Sequence, residues 1–153
     1  MKKTCHPAHT RVKASQGWVN ANYSFSFAQY YNPKRISFDA LRVLNENTID
    51  LGMGFGTHPH NNIEIITIPL EGDLEHKDST GNVGTIHENE IQVTTADKGV
   101  QHSEYNKNVD KSINLLQLWV IPNAHNVAPP YNQNSDRELK KQSLLSSFVP
   151  QFT

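Results

Sequence analysis

Between Ile36 and Ile121, short apolar or alternating runs are separated by turn-forming clusters at intervals of about ten residues, the spacing of a β-sandwich or barrel. Helical periodicity is nearly absent there. Ile63, Ile65, Ile66, Ile68 and Leu70 form a β-branched run, Glu71-Gly72-Asp73 supplies a turn, and Leu74-Glu75-His76-Lys77 follows, which predicts a hairpin. Further turns are predicted at Ser79-Thr80-Gly81-Asn82, Glu88-Asn89-Glu90 and Ala96-Asp97-Lys98-Gly99, flanked by Val83, Ile86, Ile91 and Val93. The core therefore reads as a meander or Greek key. Leu115 to Ile121 is apolar on both faces apart from Gln117, which predicts a covered strand in the middle of a sheet, ended by Pro122. Before the core, alternation at Tyr23, Phe25 and Phe27 predicts an outer strand that lays rings on one face. Beyond Pro129-Pro130-Tyr131 the chain turns polar, and Asp136 to Leu145 has the pattern of one short, weakly amphipathic helix.

Composition narrows the function classes. A chain of 153 residues, 36% of them hydrophobic, suits one domain with a modest core. Fourteen Lys and Arg against 15 Asp and Glu, for a net charge of −1, provide no electrostatic footprint for a phosphate backbone, so nucleic acid is not expected as a direct partner. No apolar run approaches the roughly 20 residues of a membrane-spanning helix, and the expected location is cytoplasmic. The single cysteine, Cys5, excludes an internal disulfide and reads as a plain surface residue in an amino-terminal tail. The eight histidines are the conspicuous feature, because imidazole is the commonest metal ligand near neutral pH.

Two short segments carry candidate chemistry. His58-Pro59-His60 and His102-Ser103-Glu104 each place two donors at i and i+2, which in a strand face the same way roughly 6.5 to 7 Å apart. Two such pairs on facing strands would close around one ion, and three imidazoles with one carboxylate leave one or two positions open on an octahedral metal. Taken singly, the first pair reads equally as polar residues in an exposed turn and the second as a surface ion pair. Their joint occurrence favours ligation. His76 reads first as the outward residue of an alternating strand and second as a residue near the site, and His6, His9, His87 and His125 read as solvated. Gly52, Gly54 and Gly56 are expected to turn the backbone sharply into the ligand strand, and Gly99 to do so before His102. The string G-x-G-x-G does not read as a nucleotide site, because no helix follows it.

These residues carry a resemblance. Gly52-x5-His58-x-His60-x3-Glu64 with Glu71-Gly72, and Gly99-x2-His102-x3-Asn106, resemble the two cupin motifs. More narrowly, F-S-F-A-x-Y-Y at 25–31, L-R-V-L-N at 41–45, G-F-G-T-H-P-H at 54–60, L-E-G-D-L-E-H-K-D-S-x-G-N at 70–82, H-S-E-Y-N at 102–106, L-Q-L-W-V at 116–120 and P-P-Y at 129–131 resemble the amino-terminal domain of pirins. The resemblance implies an all-β fold, a single cupin-type β-barrel or double-stranded β-helix over residues 15–133, with a tail at 1–14. It implies one divalent ion held by His58, His60, His102 and Glu104, with iron first and manganese, nickel, copper or zinc accepted by the same donors; Glu64 is not the carboxylate ligand. It further implies an enzyme of the quercetin 2,3-dioxygenase type, acting with dioxygen on a flavonol-like substrate; carboxylate chemistry, not the resemblance, suggests Glu104 as acceptor of the substrate's hydroxyl proton. The alternative is a non-enzymatic module whose metal senses redox state and alters a surface for a protein partner. A pocket lined by apolar side chains beside the open coordination position distinguishes the first from the second.

The chain also departs from the pattern. Pirins carry a second barrel after the P-x-Y segment, so residues 134–153 are expected to be a remnant of the linker to a missing domain, and the face so uncovered to favour a homodimer. Asp97 stands where the family keeps a small residue, and Asn61-Asn62 replace a commonly charged pair beside His60, where they are expected to alter substrate preference.

Overall fold

The structure is a computed structural model that describes residues 6–96, 99–123 and 131–135. Cys5, Asp97, His125, Pro129-Pro130 and the helix expected over Asp136 to Leu145 lie outside the described residues. The described chain is all-β apart from one 3-10 turn at Ala8–Thr10. Its strands are β1 (Val12–Ser15), β2 (Val19–Tyr23), β3 (Leu41–Ile49), β4 (Gly54–His60), β5 (Glu64–Glu71), β6 (Leu74–Asp78), β7 (Val83–Ile86), β8 (Glu90–Thr95), β9 (Val100–Asn106), β10 (Ile113–Val120) and β11 (Tyr131–Ser135). They form a seven-stranded sheet in the order β1-β2-β3-β10-β5-β8-β11 and a four-stranded sheet in the order β4-β9-β6-β7. Among the described residues no helix is long and apolar enough to cross a membrane.

Alternation along the strands decides what enters the space between the sheets. In β10 the inward residues are Ile113, Leu115 and Gln117; in β3 they are Val43, Asn45, Asn47 and Ile49; in β9 they are His102, Glu104 and Asn106. At one end Val19, Ile49, Leu74, Ile86, Ile113 and Leu115 form the apolar core, with Trp18 and Phe55 packed against it. Each such aliphatic side chain contributes about 1.5–3 kcal/mol on burial. Two positions further along the same strands the interior becomes polar. The fold thus has a greasy foundation and a polar chamber above it.

Several expectations are corrected. β5 and β6 do not form a hairpin: β5 pairs with β10 and β8, whereas β6 pairs with β7 and β9, so the Glu71-Gly72-Asp73 turn carries the chain from one sheet to the other. The turn at Ser79–Asn82 does close a hairpin, β6 with β7, and the Asp78 carboxylate accepts hydrogen bonds there from the backbone N–H groups of Thr80 and Asn82. The outer strand stops at Tyr23; Phe25 and Phe27 lie beyond it, and Phe27 packs edge-on against Trp119 with ring centroids 5.4 Å apart. β10 is central, between β3 and β5, but Leu116 and Leu118 on its outer face are only half-buried. Within the segment expected as a tail over 1–14, the described residues include the 3-10 turn and Val12 to Ala14 of β1, which pair with β2.

Of the glycines before His58, Gly52 turns the chain at φ +67°, as expected, whereas Gly54 acts by closeness. Gly54 and Gly56 lie inside β4. A Cβ at Gly54 would overlap the Glu104 carbonyl oxygen and come within 2.6 Å of the Tyr105 Cα, so a side chain there would push β4 off β9. Gly99, at φ +93°, likewise takes a left-handed backbone in the turn before β9. We predict that Gly54→Ala destabilises the protein by about 3 kcal/mol or more, the upper range for overpacking, in urea denaturation. Gly56→Ala, whose Cβ would meet only the Tyr105 hydroxyl at 3.7 Å, should be near neutral; equal stability of the two variants would contradict this packing.

Candidate metal centre

Strands β4 and β9 run antiparallel with His58 opposite His102, and a bulge between Phe55 and His58 interrupts the pairing just before the first histidine. His58 and His60 follow the i, i+2 rule of a strand, and His102 meets them from the neighbour. The three ligand atoms all lie within 4.8 Å of one another, and among the described residues these three histidines are the group so gathered. Their ring centroids are 4.5 to 4.8 Å apart. Trp119 closes one side, its ring centroid 4.8 Å from that of His60.

The hydrogen bonds orient the rings. His58 Nδ1 lies 2.8 Å from the Gly56 carbonyl oxygen and donates its proton there, so His58 Nε2 presents a lone pair. That lone pair faces His102 Nε2 at 3.0 Å. On the far side of the His102 ring, Nδ1 lies 3.2 Å from His76 Nε2. Two nitrogen ligands at right angles about an ion, each at roughly 2.1 Å, stand about 3.0 Å apart. The His58–His102 spacing therefore fits a shared divalent ion, and the donor chemistry fits it too. Burial, reinforced by the neighbouring imidazoles, lowers the pKa of His60 and of His102 to about 3, so both are neutral and hold free lone pairs at physiological pH.

Glu104 stands outside the trio of gathered donor atoms. Its side chain is 1% exposed, with Thr67 Oγ1 donating to Oε1 at 3.3 Å and Gln117 Nε2 donating to Oε1 and Oε2 at 3.2 and 2.9 Å. Burial raises its pKa above the usual carboxylate range, while His76, Gln117, His58 and Thr67 oppose that rise. The group is thus placed to hold or release a proton beside the histidines.

Three residues of this site were not among the expected site residues. Thr67 and Gln117 hold the carboxylate, and Gln117 was visible as the lone polar residue of an otherwise apolar strand. His76 is the correction: it is not an outward residue but wholly buried, on the same face of β6 as Leu74. The parity with Leu74 was the signal. His6, His9 and His87 are exposed as expected, and His87 pairs with Asp73 at 3.1 Å. Asn61 and Asn62 are exposed, and Asn62 takes a left-handed backbone at φ 52° where the chain leaves β4.

A cavity of about 320 Å³ opens beside this cluster, within the range of small-molecule sites. Trp18, Tyr23, Phe27, Phe55 and Trp119 line it with Asn45, Asn47 and Gln117, and both His58 and Glu104 face it.

Comparison with known proteins follows the same line. A family model described as Pirin matches residues 6–120. The chain is 43% identical over 140 residues to a quercetin 2,3-dioxygenase of Escherichia coli (strain K12), an alignment covering 91% of this chain and 61% of that protein. It is 37% identical over 139 residues to a pirin-like protein of Caulobacter vibrioides, covering 88% and 60%. Among solved structures, the bacterial pirin YhhW from Escherichia coli in complex with nickel(II) superposes with a TM-score of 0.80 at 42% identity, covering 83% of this chain and 55% of that one. The chain thus spans about three fifths of the length of these curated relatives.

The two shifted imidazoles set a pH dependence for the metal-free protein. The unfolded chain takes up protons at His60 and His102 below about 6.5, whereas the folded chain resists until about 3, so stability is full above the first value and falls toward the second. Glu104, with its raised pKa, works in the opposite sense above 4.5, but one carboxyl opposes two imidazoles. Urea denaturation of metal-free protein should therefore show stability rising from pH 4.5 to 6.5; a flat or falling profile would contradict the burial of these rings.

Proposed function

This chain belongs to the pirin family, and from that premise we propose that it holds one divalent metal ion and acts with dioxygen on a planar, flavonol-like substrate. The observation that carries the reading is the convergence of three imidazoles beside an aromatic-walled cavity, the feature that separates an oxygenase from a metal-bearing binding module. The donor set we propose is His58, His60 and His102, with Glu104 as the carboxylate. Iron is the proposed resident ion; imidazole and carboxylate donors also accept nickel, the ion held by the related structure from Escherichia coli.

A bound divalent ion supplies Lewis acidity toward an oxygen donor of the substrate. The protein does the rest. The rings of Trp18, Phe27, Phe55 and Trp119 orient a flat molecule and exclude water from its reactive edge. Glu104, facing the same cavity, accepts the proton of the substrate's hydroxyl. Gln117 and Thr67 keep the carboxylate in place for that transfer. Asn61 and Asn62, exposed at the end of β4, are proposed to shape substrate preference.

Elemental analysis of purified protein, followed by oxygen uptake with quercetin, tests the proposal. One equivalent of metal and quercetin-dependent oxygen consumption are expected, with His60→Ala lowering the rate by at least about 10²-fold, the upper end of what loss of an outer partner alone costs. One equivalent of tightly held metal with no oxygen consumption would overturn the oxygenase in favour of the redox-sensing module.

A further inference from the structure

His76 belongs to none of the ligand pairs, yet it is the most deeply enclosed of the described histidines, with 0% of its surface exposed. β6 pairs with β9 so that His76 lies opposite Glu104 and Asp78 opposite His102. That register brings His76 Nε2 to 3.2 Å from His102 Nδ1. We propose that His76 is the positioning residue of the centre, which by accepting the Nδ1 proton of His102 fixes that ring in the tautomer whose Nε2 is free to bind metal.

The argument is one of proton placement and rests on the metal reading above. A neutral imidazole carries one ring proton, and the nitrogen without it is the ligand. For His58 the Gly56 carbonyl takes the Nδ1 proton and leaves Nε2 bare. His102 Nε2 faces that same bare nitrogen from 3.0 Å; with an ion between them both nitrogens give it their lone pairs, and the His102 proton then sits on Nδ1. His102 is 2% exposed, out of reach of solvent as an alternative acceptor, and the nitrogen that faces its Nδ1 is His76 Nε2. Metal-bound histidines in proteins commonly have their second nitrogen held by a carboxylate or a carbonyl. Here the partner is a second imidazole, which leaves the ion with one negative charge fewer around it than a carboxylate partner would.

The test uses the full chain and cobalt(II) as the probe, its visible absorption reporting both affinity and coordination. His76→Leu should lower cobalt affinity by about 10–100-fold, the usual cost of losing such a partner, and shift the absorption bands. His76→Gln, whose amide oxygen accepts the same proton, should recover affinity to within a few-fold. A leucine variant that binds cobalt with wild-type affinity and spectrum, or a glutamine variant no better than leucine, would overturn the proposal. Should the leucine variant fail to fold, long-range proton–nitrogen NMR of the zinc-loaded wild type decides: a proton on Nδ1 of His102 supports the proposal, and a proton on Nε2 overturns it. A wild type that binds neither cobalt nor zinc removes the metal reading itself, and that failure is seen before any variant is made.

Discussion

Strand β4 lies against β9 in an antiparallel register that sets His58 opposite His102, two residues 44 positions apart in the chain. Everything proposed for the site depends on that pairing. A slip of one residue would turn His102 and Glu104 to the far face of their strand and leave His58 and His60 facing a serine and a glutamine. What guards the register is the absence of a side chain at Gly54, where the two backbones come too close for a Cβ, and the bulge that follows it. The chemistry is thus placed by a backbone contact several residues away from the imidazoles.

The interior of the fold shows how such a polar cluster is held in place. Along β10 the inward residues run Ile113, Leu115 and Gln117, and along β6 they run Leu74 and His76, so the same strands that make the apolar core carry the polar chamber. Buried polar groups are costly unless they are paired. The Glu104 carboxylate is met by Gln117 and Thr67, and the His102 Nδ1 by His76. Each of these partners comes from a different strand. The arrangement ties the orientation of the functional side chains to the closure of both sheets, so that the site forms with the fold and not after it.

Much of this was legible in the residues themselves. Donors at i and i+2 in two strand-like segments pointed to one face each, and the apolar run from Leu115 marked a central strand, because both patterns are local and have the period of a strand. The errors came where the outcome is decided by distant partners. Glu71-Gly72-Asp73 has the composition of a hairpin turn, but whether two strands joined by a turn pair with each other depends on what else competes for their edges. Here β10 and β8 take β5, and β9 and β7 take β6. His76 was misread for a related reason: histidine is polar enough to suit the outside of a strand, and only the parity with Leu74 tells otherwise. Gln117 was noticed as an exception in an apolar strand, yet its meaning needed Glu104 across the interior.

The most direct test of the central claim is crystallographic. Crystals of the full chain grown with iron(II), with data collected at the iron absorption edge, should show one strong anomalous peak at about 2.0–2.1 Å from a ring nitrogen of each of His58, His60 and His102. Absence of the peak from that point, or a peak elsewhere with the three rings turned away from one another, would contradict it.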